Sequence, residues 1–187
     1  MKIIGHLLLS LFVLTQSAAG LAAERVPELT CGDTITEDTV LVEDLSCPDD
    51  AEFAIIIGAS NITLDLGGHT ISGTSPSKGV YASDQEGIII RNGSIDGFHD
   101  GVFLNNTRQV TVENLTVRNL DFSDPVLFIF GITIVGSQEV IVRDSLFEFV
   151  EVFHKEAVEV YDSTVDVSNI EMRGGGTGVN FSYAGEA

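Results

Sequence analysis

Tryptophan is absent from this 187-residue chain, only two cysteines are present, and nine basic residues face 28 acidic ones. A formal net charge of −19 removes the electrostatic footprint of a nucleic-acid binder and argues against docking on an anionic membrane surface. Two cysteines permit at most one disulfide, so a densely cross-linked scaffold is excluded. Beyond the first 23 residues no apolar run is long enough to span a bilayer. Within the repeating units of residues 79–178, no stretch carries apolar residues at i, i+3 and i+4 long enough for a helix.

What the chain does have is a pattern that returns four times. Glycine or alanine opens an alternating apolar triplet, and a second alternating triplet then leads to Asn or Asp and a further apolar residue. The pattern runs from Gly79 to Asn92, Gly101 to Asn114, Gly131 to Asp144 and Ala157 to Asn169, at separations of 13, 13, 13 and 12 residues. Start to start, the units measure 22, 30, 26 and 21 residues, the last ending at Gly178. Period-2 alternation makes each triplet a strand, and a unit this short has room for three short strands and three bends but no helix. One such unit is one coil of a parallel β-helix. Alternation names the inward positions: Val102, Leu104, Val110, Val112, Leu115 and Val117 in one coil, then Ile132, Ile134, Val140, Val142 and Phe147 in the next. Asn92, Asn114, Asp144 and Asn169 fall at the bend between the second and third strands. There a residue must turn left-handed, which Asn and Asp tolerate better than most, and stacked amides can bond along the column.

Residues 31–40 (CGDTITEDTV), 62–73 (ITLDLGGHTISG) and 90–98 (IRNGSIDGF) carry a resemblance to the secreted right-handed parallel β-helix proteins of the pectin-lyase-like superfamily. The resemblance covers nearly the whole chain after the first thirty residues. It implies an all-β, right-handed parallel β-helix of about six coils, built from parallel β-helix repeats. It leaves function open, because that superfamily includes polysaccharide lyases, polygalacturonases, uronan epimerases and adhesins. The Asn-Thr-Asp, Asp-Asp and Arg-Ile-Lys segments of polygalacturonases are missing. Of their Gly-His-Gly only Gly67, Gly68 and His69 come near, inside a turn. Nor does any Arg fall in the outward column of the first strands, where pectate lyases of this fold place a base.

Residues 1–23 read as a signal peptide, with Lys2, an apolar run from Leu7 to Leu14 and small residues through Ala18, Ala19, Gly20, Ala22 and Ala23. The protein is therefore expected to be secreted, periplasmic or on the cell surface. Residues 24–54 form an N-terminal cap segment in which Cys31 and Cys47 either close a disulfide or stay as buried thiols, and residues 55–187 form the coils. The last coil starts at Gly178 and stops short. The chain is then either part of a longer protein or ends in a rung that self-associates.

The sparse arginines have a structural reading. Asp65, Arg91, Glu113 and Arg143 occupy one outward column, and Ser72, Asp96, Arg118, Glu148 and Arg173 another, so opposite charges face across rungs. Function is expected where length varies, between the third strand of one coil and the first strand of the next. Beside those loops the outward column reads Tyr81, Phe103, Thr133, Glu159 and Asn180. Tyr81 and Phe103 either stack sugar rings, with Glu159 beside them, or are covered by a loop. Lys78, Asp100 and Glu156 hold equivalent places just before those strands, with His99 and His154 nearby. Asp100, Glu156 and His99 are thus the candidate catalytic groups, the two carboxylates on the order of 10 Å apart. No cofactor is implied, although Asp96, Asp100, Asp121 and Asp124 can offer oxygens to Ca²⁺ without a defined motif. The two function classes are an extracellular or cell-surface polysaccharide binder or processor, as lyase or hydrolase, and a non-catalytic adhesin-type repeat protein.

Overall fold

The computed structural model describes residues 29–73, 78–119, 129–149 and 155–182. The signal segment, His154, Asp121, Asp124 and most of the insertion at 120–130 lie outside them. No helix occurs among the described residues, so none is long and apolar enough to cross a membrane.

Fifteen strands make up the described chain. They are β1 (Asp33–Ile35), β2 (Thr39–Val40), β3 (Leu45–Ser46), β4 (Phe53–Ile57), β5 (Thr63–Asp65), β6 (Thr70–Ser72), β7 (Lys78–Ser83), β8 (Ile89–Asp96), β9 (Asp100–Asn105), β10 (Thr111–Asn119), β11 (Ile129–Val135), β12 (Val140–Phe149), β13 (Lys155–Tyr161), β14 (Val165–Arg173) and β15 (Thr177–Ser182). A seven-stranded sheet runs β1-β4-β7-β9-β11-β13-β15, and an eight-stranded sheet runs β14-β12-β10-β8-β5-β2, with β3 beside β6 and β6 beside β8. Every pairing is parallel and each strand lies against its counterpart one coil away, which is the stacked-coil architecture that the repeat spacing requires.

One detail differs from the expectation of three strands per coil. In β8, β10, β12 and β14 the second and third strands are one continuous, bent strand. The bend is a single left-handed residue in each: Asn92 (φ 60°), Asn114 (φ 51°), Asp144 (φ 52°) and Asn169 (φ 48°). One such residue turns the chain without breaking the ladder on either side, because residues flanking it stay paired, Glu113 with Arg91 and Leu115 with Gly93. In the two earlier coils the strands separate, β2 from β3 and β5 from β6, and between β5 and β6 Gly67 and Gly68 add a left-handed pair to the corner. The amides bond along the column: Asn92 donates to Asp65 at 3.0 and 3.2 Å, Asn114 to Asn92 at 3.5 Å, and Asn169 to Asp144.

Two further left-handed columns escape the sequence reading. Asp84, Asn106, Gly136 and Asp162 follow the first strands, and Asn61, Gly87, Gln109 and Glu139 precede the second. Between them runs a hydroxyl column in which Thr107 donates to Ser137 and the Ser137 amide donates to Ser163, so the tight corner buries polar groups without stranding them.

All eleven of the inward residues named from alternation are buried, alongside Ile55, Leu64, Ile71, Val80 and Ile90 from the earlier coils. Each side chain removed from water contributes about 1.5–3 kcal/mol. The recurring glycine is explained by close approach: a Cβ at Gly79 would lie 2.5 Å from the Gly101 carbonyl oxygen, and one at Gly101 2.6 Å from that of Gly131. At the first rung Cys31 and Cys47 form a disulfide, so the thiol alternative is settled, and the segment expected as a cap is itself a paired rung through β1, β2 and β3. The arginine columns pair as their order implies: Arg91 with Asp65 (2.9 Å), Arg143 with Glu113, and Arg118 with both Asp96 (3.6 Å) and Glu148 (2.8 Å). With the arginines in contact with water and the acids half-buried, each pair is worth about 1 kcal/mol or less.

Candidate functional site

Pairing in the seven-stranded sheet sets three outward columns side by side. The first reads Phe53, Lys78, Asp100, Phe130, Glu156 and Thr177; the second Ile56, Tyr81, Phe103, Thr133, Glu159 and Asn180; the third Ser83, Asn105, Val135, Tyr161 and Ser182. Neighbours within a column are one rung apart, about 4.8 Å. Tyr81, Phe103, Asp100, Glu156 and Glu159 therefore share one face in the register expected, and His99 adjoins it.

Toward the earlier coils the face is aromatic. Tyr81 and Phe103 stack at 6.0 Å between ring centroids with planes 28° apart, and Phe53 adds a third ring 4.7 Å from Tyr81. The Lys78 ammonium sits 5.1 Å from the Phe103 ring centre and 5.7 Å from that of Phe53, a cation–π arrangement that holds the rings and the lysine stem together. All three rings stay half-exposed. Sequence reading missed Phe53 because it falls in the segment assigned to the cap; its place 25 residues before Lys78, about one coil length, was the available signal.

Toward the later coils the face is acidic and drier. Glu159 points outward by register yet is only 1 % exposed, and Asp100 only 5 %. Asp100 accepts from the Thr133 hydroxyl on one oxygen and lies 3.0 Å from His99 Nδ1 on the other, while the His99 ring meets Phe130 edge-on at 5.7 Å. Glu156 Oε1 accepts from the Asn180 amide at 3.0 Å, and Glu159 Oε1 from the Ser182 hydroxyl at 3.0 Å. Tyr161, two residues beyond Glu159, completes the group. Burial, its hydrogen bond to Glu159 and the negative charges of Glu159 and Asp100 push its phenol above the ordinary value. Tyr161 and Ser182 were also missed, although strict alternation from Glu159 and Asn180 reaches both.

Asp100 and Glu156 are two rungs apart, on the order of 10 Å. Phe130 stands between them in the column, and Asp100 has both oxygens engaged. The chemistry this arrangement offers is different from a facing carboxylate pair: a buried carboxylate holds one nitrogen of a partly exposed imidazole and so fixes its orientation.

Asp96 lies on β8 of the eight-stranded sheet, whereas Asp100 opens β9 of the seven-stranded one, and Asp121 and Asp124 lie outside the described residues. The Asp96 carboxylate faces Arg118; burial raises its pKa, Arg118 opposes the rise, and Glu148 adds to it. Among the described residues no three His, Cys, Asp or Glu side chains stand together as a metal site. Two concavities lie away from the face, one at the first rung around Leu41, Leu45 and Pro48, the other beside the Asn114, Asp144 and Asn169 corner.

No curated protein matches the chain, and no solved structure does. Residues 46–186 match the family described as the right handed beta helix region, and this stretch contains most of both sheets. By that match and by its stacked parallel coils, the chain belongs to the right-handed β-helix family.

Proposed function

We propose that this protein is exported and binds polysaccharide at or outside the cell surface, along the outer face of the seven-stranded sheet. The observation that carries the reading is the row of three half-exposed rings, Phe53, Tyr81 and Phe103, on successive rungs of a rigid sheet. Flat apolar faces at regular spacing suit the faces of sugar rings, and the polar groups just beyond them suit hydroxyls. The signal-like segment at 1–23 and the Cys31–Cys47 disulfide support export into an oxidising compartment. Exposed Phe181 on β15 supports self-association through that rung.

For processing in addition to binding, His99 is the group suited to proton transfer, with Asp100 positioning it; lyase and hydrolase are the classes that the family resemblance suggests. A non-catalytic, adhesin-type role is the second reading. It is favoured by the engagement of Asp100 with Thr133 and His99, which leaves that carboxylate little freedom as an acid or base.

Affinity electrophoresis through gels of neutral and charged glycans tests the first reading. Tyr81→Ala and Phe103→Ala should each weaken binding about tenfold, since a stacked ring contributes about 0.5–1.5 kcal/mol beyond its buried area. Retention by no glycan, or equal retention of both variants and the parent, would overturn it.

A further inference from the structure

Two carboxylate oxygens on the acidic part of the face are buried with no hydrogen-bond partner, Oε2 of Glu156 and Oε2 of Glu159. Glu159 is only 1 % exposed, so its free oxygen is not satisfied by bulk water either. An acceptor held this way carries a desolvation cost of about 1–3 kcal/mol or more until a donor reaches it. Glu156 and Glu159 lie three residues apart on β13, and Glu156 reaches the amide of Asn180, the register neighbour of Glu159. Their Oε1 atoms take donors from Asn180 and Ser182, both neutral, so the pair is hydrogen-bonded on one side. Asp100 adds a third negative charge two rungs away. The Lys78 ammonium, three rungs away, is committed to the Phe53 and Phe103 rings, and buried Lys155, next to Glu156 in the chain, sets its ammonium over the Phe149 ring.

Resting on the polysaccharide reading above, we infer that the glycan carries free amino groups, as in a glucosamine polymer, and that Glu156 and Glu159 receive a sugar ammonium. A hydroxyl would satisfy the hydrogen bond alone; an ammonium supplies both donors and a positive charge. The ring row ends at Phe103, two rungs or about 10 Å from Glu159, so a chain stacked on the rings reaches the carboxylates with its next units. A chain charge of −19 favours this ligand over a uronan, which would need basic residues that the three columns, with Lys78 alone among their residues, do not offer.

The test is calorimetry of the intact protein with glucosamine oligomers, their N-acetylated counterparts, polygalacturonate and oligolysine. Glucosamine oligomers should bind at least tenfold more tightly than the acetylated ones, weaken with added salt, and lose at least tenfold with Glu159→Gln, which keeps the acceptor for Tyr161 and Ser182. Equal binding of acetylated oligomers overturns the amino-sugar inference and leaves the polysaccharide reading intact. Binding of no glycan sinks that reading and this one with it. Oligolysine binding as tightly as the amino sugar overturns the inference in favour of a basic peptide. Should Glu159→Gln fail to give the parent circular dichroism spectrum, Glu156→Gln carries the same expectation and the same refutation.

Discussion

Replacing Asn114 separates two explanations of the corner. The residue sits at φ 51° and is exposed, and its amide reaches Asn92 only at 3.5 Å, a length at which a solvated hydrogen bond contributes little. Stability at this site should therefore reside in the backbone. Asn114→Ala keeps a Cβ in the left-handed region and should lose about 1–2 kcal/mol. Asn114→Gly removes the same amide but relieves the conformation; its penalty is the greater freedom of the unfolded chain, about 0.5–1 kcal/mol. Glycine should thus be the milder substitution even though it deletes more atoms. Urea titration followed by far-UV circular dichroism, with m unchanged between variants, reads the difference directly. If glycine proves as damaging as alanine, or worse, the amide column carries the corner and the backbone argument is refuted.

Gly101→Ala should lose about 1–3 kcal/mol, since its Cβ would meet the Gly131 carbonyl and a Val117 methyl, each at 2.6 Å, whereas Gly178→Ala meets nothing within 4 Å and should stay within about 0.5 kcal/mol in the same titration. Reducing Cys31–Cys47, which closes a loop across 16 positions, should remove about 3 kcal/mol, visible as a lower urea midpoint with reductant present. On acidification, Asp65 and Glu148 have folded pKa values below their ordinary 3.8 and 4.5. For Asp65, burial works upward but the Gly67 amide, Asn92 and Arg91 together outweigh it; for Glu148, the Arg118 hydrogen bond leads. Their stabilisation is complete above those ordinary values and is lost as pH falls through the lower folded ones, so the thermal midpoint should drop below about pH 4. Asp96, raised by burial, works in the opposite sense: its contribution is present below 3.8 and is lost as pH rises through its higher folded value. Asp96→Asn should therefore steepen the acid-side fall.

Much of this arrangement can be read from the chain because in a stacked coil one residue's environment is repeated by the next. The interior from Val102 to Phe147, the corner at Asn92, Asn114, Asp144 and Asn169, and the Arg118 pairs all follow from counting along a constant spacing. Burial on the outer face does not follow in that way. Alternation places Glu159 outward, and outward residues are ordinarily wet, yet it is covered. The same limit applies to Asp100, whose ties to Thr133 and His99 depend on side-chain direction and not on register. Phe53 and the corners at Asp84 and Gln109 are within reach of the spacing, but a repeat anchored on apolar triplets passes over them because they lie outside the triplets.

Left-handed residues close two corners of every full coil from β7 onward at nearly constant length, and the third absorbs nearly the whole range of coil sizes, from the 21 positions separating Val158 and Val179 to the 30 separating Val102 and Ile132. Foreign peptides grafted at that corner would thus be displayed in a row along one edge without shifting the sheets, because lengthening a surface loop adds only about 0.6 kcal/mol per doubling. The fold is, in effect, a rack whose shelves are fixed and whose contents are exchangeable.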